Sequence, residues 1–98
     1  MYILIVGCSE VGYHLTKVLL ASGHEVVVAE KSNDRCRVLR DEPGIVAVQG
    51  DGTDERTLRE AGITRADVLV AVTGRDETNL IICQMAKHIF QVPRTMAL

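Results

Sequence analysis

Apolar residues gather in short unbroken runs rather than alternating with polar ones. YILIV at residues 2–6, VVVA at 26–29 and VLVAV at 68–72 are strand-length and have no polar face. A strand that is apolar on both sides is buried on both sides, as in a parallel sheet covered by helices. Between these runs the spacing becomes helical. Val11, Leu15, Val18 and Leu19 predict a helix with those residues as its apolar stripe, ended by the glycine signal at Ser22-Gly23. Ser32 is the predicted cap of a second helix over residues 34–39, and Pro43-Gly44 turns the chain into a third strand at 45–48. Thr53 is the predicted cap of a short helix ending near Gly62. A fourth strand at 66–72 leads through a loop at 73–77 into a helix over 78–90. Leu80, Ile81, Ile82, Met85, Ala86, Ile89 and Phe90 cover more than one face of that helix, so it is expected to be buried against the sheet and against a second surface. Pro93 stops it, and residues 94–98 begin a fifth strand. Strands and helices alternating in this way specify an α/β fold, a doubly wound parallel sheet with helices on both faces, because parallel neighbours need crossovers of this length.

Composition narrows the picture. Ninety-eight residues make one domain, residues 1–98. The chain is 47% hydrophobic but only 3% aromatic, so aliphatic side chains must fill the core. A net charge of −2 offers no basic excess for nucleic acid and no polybasic stretch for anionic lipid. No apolar run approaches about 18 residues, so direct membrane insertion is not expected. Met1 leads straight into a strand without a basic region or cleavage site, which predicts a cytoplasmic chain. Cys8, Cys36 and Cys83 are odd in number and widely separated, a pattern of reduced thiols rather than of a metal site or disulfide framework. The last strand has no helix after it, so the sequence reads as a fragment of a longer protein.

The candidate chemistry lies where strands end. Gly7 closes the first apolar run, and GCSEVG follows, with Gly7 and Gly12 at the first and last positions of a dinucleotide fingerprint. The first glycine makes the tight turn and the last lets helix pack on strand, while backbone amides at the helix start attract phosphate. Cys8, Ser9, Glu10 and Val11 complete the candidate turn. Ser9 stands where the middle glycine is expected, and its hydroxyl either hydrogen-bonds a phosphate or narrows the site. Glu10 suits the helix dipole but repels phosphate. Glu30, at the end of the second strand, is placed to accept hydrogen bonds from both adenosine ribose hydroxyls and to disfavour a 2′-phosphate, with Lys31 beside it softening that preference. Asp51 and Gly52 form the loop expected over the adenine, and Thr73 and Gly74 the loop where the second half of a dinucleotide lies. The plain alternative for each is a packing glycine, a solvated acid or a helix cap. Tyr13 and Lys17 match a Tyr-x-x-x-Lys catalytic spacing, but on the first helix, the wrong place for it. His14, His24 and His88 have no partner at metal spacing. No nucleophile, base and orienting group can be assembled. A bound nucleotide without chemistry points to sensing.

Taken together, GCSEVGYHL, the acid Glu30 after VVVA, GDGTD, and ADVLVAVTGRDETNLIICQMAK resemble the N-terminal domain of Trk-type potassium-uptake regulators, the TrkA N-terminal or RCK/KTN family. The similarity covers essentially the whole chain, and the segment ending in TGRDETNLIICQMAK is its most specific part. It implies a Rossmann-like domain of a cytoplasmic, non-enzymatic subunit that docks on a membrane potassium transporter or channel. NAD(H) is the implied ligand, with ATP or ADP as further ones, and assembly as a homo-oligomer, dimer or larger ring, would suit the two-sided helix over 78–90. By position the family's phosphate turn falls on Gly7 to Gly12, its ribose acid on Glu30, its adenine loop on Asp51 and Gly52, and its fourth-strand turn on Thr73 and Gly74. Two departures stand out: Ser9 replaces the usual middle glycine, and Glu10 stands where some ATP-responsive members carry arginine. The residues by themselves leave two other readings open, the cofactor half of an NAD-dependent oxidoreductase and a scaffold that has lost its ligand through Ser9.

Overall fold

The computed structural model describes residues 1–98. Along the chain it runs β1 (Tyr2–Val6), α1 (Glu10–Ala21), β2 (Glu25–Glu30), α2 (Asn33–Arg40), β3 (Val46–Gln49), α3 (Glu55–Glu60), a 3₁₀ turn (Ile63–Arg65), β4 (Val68–Ala71), α4 (Asp76–His88) and β5 (Arg94–Ala97). The strands form one parallel sheet in the order β3-β2-β1-β4-β5. The chain therefore winds outward from β1 through β2 to β3, returns, and winds the other way through β4 to β5. The point of reversal lies between β1 and β4, which is where open α/β sheets bind ligands.

Burial follows the pleat. Leu4 and Val6 of β1 join Leu58, Ile63, Ile82 and Ala86 in the layer under α3, the 3₁₀ turn and α4. Ile3 and Ile5 join Val26, Val28, Leu39 and Val70 in the opposite layer, with Leu15, Leu19 and Leu20 of α1 packed against it. Helices thus cover both faces, which is why β1, β2 and β4 read as continuous apolar runs. The register is level at one edge: Val6 lies opposite Ala29 on one side and Ala71 on the other. The loops after β1, β2, β3 and β4 consequently open along the same rim. No helix is long and apolar enough to cross a membrane.

Several expectations need correction. Of the predicted α1 stripe, Leu15 and Leu19 pack against the sheet, but Val11 and Val18 are exposed, and the fully buried positions are Gly12 and Thr16. The helix approaches the sheet so closely that a β-carbon on Gly12 would lie 2.9 Å from Val72 Cγ1, and only small residues fit there. On α4, Ile82 and Ala86 face the sheet, while Leu80 and Ile81 are exposed within the single chain. The helix also starts earlier than residue 78, at Asp76. The cap of α3 is Asp54, whose side chain accepts the Arg56 N–H, not Thr53. The Thr53 hydroxyl is already committed to Asp51. Tyr13 donates to Glu42 and Lys17 lies over the Tyr13 ring, a structural pairing in keeping with its being misplaced for catalysis.

Candidate functional site

The rim loops enclose a cleft of about 590 Å³ at the point of reversal. Its floor is apolar, formed by Val6, Ala29 and Ile82, and its walls are polar. Gly7 enters from the β1 turn, Glu30, Lys31, Ser32 and Arg35 from β2 and α2, Asp51 to Thr53 from the β3 loop, and Thr73, Arg75 and Thr78 from the β4 loop and the start of α4.

Glu30 is the most constrained of these. Its side chain lies at the end of β2, 6% exposed. The Cys8 N–H donates to Oε1 at 2.8 Å and the Ser32 N–H to Oε2 at 2.5 Å. Its own carbonyl accepts the Gly50 N–H and the Cys36 thiol. A carboxylate has about four lone-pair positions. The two backbone amides use one on each oxygen and leave one on each oxygen for a donor in the cleft. Arg35, in the first turn of α2, donates Nη1 to the Cys8 carbonyl at 2.9 Å. The β1 turn is thus held from both sides, through its amide by Glu30 and through its carbonyl by Arg35.

Across the rim, Asp51 Oδ1 accepts both the amide and the hydroxyl of Thr53, and Oδ2 lies 4.0 Å from Lys31 Nζ. The Thr53 hydrogen bonds, the backbone one first, hold the Asp51 carboxyl below the usual carboxylate range. Gly52 lies directly on the floor: a β-carbon there would overlap Val6 Cγ1 and come within 3.1 Å of Ile82 Cδ1. On the opposite wall the buried Asn79 accepts the Thr73 N–H at 2.9 Å and the Thr73 hydroxyl at 2.6 Å, and donates to the Leu98 carbonyl at 2.8 Å.

Of the residues singled out from the sequence, Gly7, Glu30, Lys31, Asp51, Gly52 and Thr73 meet in this cleft. Gly74 does not line it. Cys8, Ser9 and Glu10 line a smaller hollow between α1 and α2, of about 250 Å³, with Tyr13, Arg35, Val38 and Leu39. Val11 and Gly12 line neither; Gly12 is buried on the sheet-facing side of α1 and Val11 is exposed. Ser9 caps α1, its hydroxyl accepting the Gly12 N–H at 3.3 Å. It therefore answers a helix need before any ligand arrives. Ser9→Ala is expected to cost about 1 kcal/mol and Ser9→Gly only a few tenths, measured as shifts in urea midpoint at constant slope. Burial, followed by the nearby Glu30 carboxylate, pushes the Cys8 thiol up, which keeps it protonated at neutral pH.

Arg35, Arg75 and Thr78 join the cleft without having stood out in the sequence, and Ser32 and Thr53, read there only as helix caps, line it too. Arg35 had a usable signal: Ser32 caps α2, so the residue three positions on begins the turn that faces the end of β2. Arg75 and Thr78 belong to a segment whose pattern indicates only a loop and the start of a helix.

Comparison with known proteins agrees with this architecture. The family model described as the TrkA-N domain matches residues 3–98. The Trk system potassium uptake protein TrkA homolog of Methanothermobacter thermautotrophicus is 38% identical over 97 residues, covering 99% of this chain and 44% of that protein. The chain spans less than half the length of the curated relatives it matches. Among solved structures, the TrkA-N domain of the inner membrane protein ybaL from Escherichia coli superposes with a TM-score of 0.85 at 31% identity, over 98% of this chain and 70% of that one. The NAD(P)-binding domain of an exopolyphosphatase-related protein from Archaeoglobus fulgidus gives 0.84 at 27%, over 98% and 71%. With the reversed sheet, the glycine turn and the acid-lined cleft in place, the match over nearly the whole sequence means that this chain belongs to the TrkA-N domain family.

Proposed function

We propose that the cleft binds an adenine nucleotide, NAD(H) foremost and ATP or ADP as further ligands, and that the domain is a cytoplasmic, non-enzymatic sensor regulating a potassium-uptake transporter or channel in the membrane. The observation that carries this reading is the Glu30 carboxylate. It is buried and oriented by two backbone amides, with one accepting position left on each oxygen. The vicinal 2′- and 3′-hydroxyls of an adenosine ribose supply two donors for those positions. The apolar floor of Val6, Ala29 and Ile82 suits a base, and Gly7, which leads into α1, brings the positive end of that helix's dipole to the edge of the cleft. The NAD(P)-binding description of the Archaeoglobus domain supports the ligand class, and the names of the TrkA relatives support the role in potassium uptake. Exposed Leu80 and Ile81 on α4 support assembly as a homo-oligomer.

Titration calorimetry with NADH, NAD, ATP and ADP tests the reading. At least one is expected to bind saturably, and Glu30→Ala is expected to weaken it tenfold or more, since hydrogen bonds to a charged group contribute about 1.5–3 kcal/mol each. Because the substitution also frees the Cys8 and Ser32 amides, its melting temperature is followed in parallel. No saturable binding of any of the four, or unchanged affinity in a folded Glu30→Ala chain, rules the reading out.

A further inference from the structure

We propose that Arg75 is the specificity-determining cation of this cleft: it engages the second phosphate of an adenosine 5′-diphosphate group and so selects nucleotides that carry a diphosphate over AMP. The inference rests on the nucleotide reading of the cleft and adds to it which ligands are favoured.

The β1 turn has no cation of its own, and its one charged residue is Glu10. The cations of the β2 wall, Arg35 and Lys31, stand beside Glu30 at the ribose end of the cleft, Arg35 donating Nη1 to the Cys8 carbonyl and Lys31 in a loose, exposed pairing with Asp51 at 4.0 Å. Arg75 stands on the other wall. The two walls touch at the turn itself, because a β-carbon on Gly7 would lie 2.6 Å from Thr73 Cα. A phosphate seated at Gly7 is therefore next to the loop that carries Arg75.

That loop is firmly placed. Asn79 fixes Thr73, and the Thr73 hydroxyl in turn accepts the Arg75 N–H at 3.2 Å. The guanidinium lines the cleft, and its acceptor is Glu77 Oε1, 3.4 Å from both Nε and Nη2. This is a long, exposed pairing that a phosphate can displace, and Nη1 is not used in it. Asp76 and Glu77 put negative charge in the first turn of α4, against the helix dipole's attraction for an anion. Arg75, at the cap, offsets that charge where a second phosphate would come.

The order of the ligand along the rim follows from the topology. With the ribose on Glu30 at the end of β2, the first phosphate falls at the β1 turn and the second lies toward β4. AMP stops short of Arg75, whereas ADP and NAD reach it.

The test is calorimetric binding of AMP and ADP to the full chain, to Arg75→Gln and to Arg75→Lys. Arg75→Gln is expected to weaken ADP about tenfold and AMP less than twofold, with Arg75→Lys keeping most of the ADP affinity. The ADP preference of the unsubstituted chain is expected to shrink in high salt. Equal losses for AMP and ADP, or no loss for ADP, overturn the role of Arg75 while leaving the nucleotide site standing. Absence of binding by the unsubstituted chain to either nucleotide overturns the nucleotide reading and this inference with it.

Discussion

Gly7→Ala is expected to remove about 3–5 kcal/mol of stability, a large share of the roughly 5–15 kcal/mol available to a domain of this size. Two costs combine. Gly7 has φ +96°, where an L side chain is strained by about 1–3 kcal/mol. Its added β-carbon would also meet Thr73 Cα at 2.6 Å and Thr73 N at 2.8 Å, both backbone atoms. Backbone cannot rotate away as a flexible side chain can, so overpacking adds about 1–3 kcal/mol. Gly23 separates the two costs. It has φ +87° in the turn after α1, and a β-carbon there meets nothing within 4 Å. Gly23→Ala is expected to show the backbone cost alone, about 1–2 kcal/mol. Urea unfolding of both variants gives the comparison. Equal midpoints would mean that the Thr73 loop yields freely, and the close contact of the two walls would lose its structural weight.

The same contact shows what a sequence can and cannot disclose. The two faces of the sheet are legible because Ile3, Leu4, Ile5 and Val6 are all buried, and an unbroken apolar run of strand length fits little besides a strand covered on both sides. Gly7 and Glu30 are legible because a turn glycine and an acid at strand ends have distinct chemical uses. The stripe of α1 is only half legible, Leu15 and Leu19 packing as their spacing predicts, because apolar spacing identifies which residues are greasy, not how near the helix comes. Gly12 brings it in so close that Val11 and Val18 are turned outward. The cap of α3 falls one residue from its expected place because Thr53 and Asp54 are both good capping residues, and only the Asp51 side chain decides which is free. Arg35 and Arg75 depend on which loops meet across the rim, and that follows from strand order rather than from local pattern.

Asn79→Ala is expected to cost about 2–4 kcal/mol and to loosen the β4 wall of the cleft. Asn79 is 1% exposed, yet each end of its carboxamide is used. Oδ1 accepts from the amide and hydroxyl of Thr73, and Nδ2 donates to the Leu98 carbonyl. Truncation leaves the Thr73 amide without its partner, at about 1–3 kcal/mol, hands the half-exposed Leu98 carbonyl to water at little cost, and opens a void beneath the start of α4. Asn79→Asp distinguishes hydrogen bonding from packing, because its volume is nearly unchanged. Its carboxylate can still accept from Thr73 but has no donor for Leu98 and would be a buried charge. Burial raises a carboxyl's folded-state pKa above its unfolded value. The Asn79→Asp chain is therefore expected to be most stable in acid and to lose stability as pH rises through the unfolded carboxylate range. Amide hydrogen exchange is expected to show Thr73 losing protection in both variants at neutral pH, while β1 and β2 keep theirs. Undiminished protection at Thr73 in Asn79→Ala would show that the wall is held by packing alone. The DETN segment would then owe its place to helix formation, and not to the carboxamide that ties Thr73, α4 and the end of β5 together.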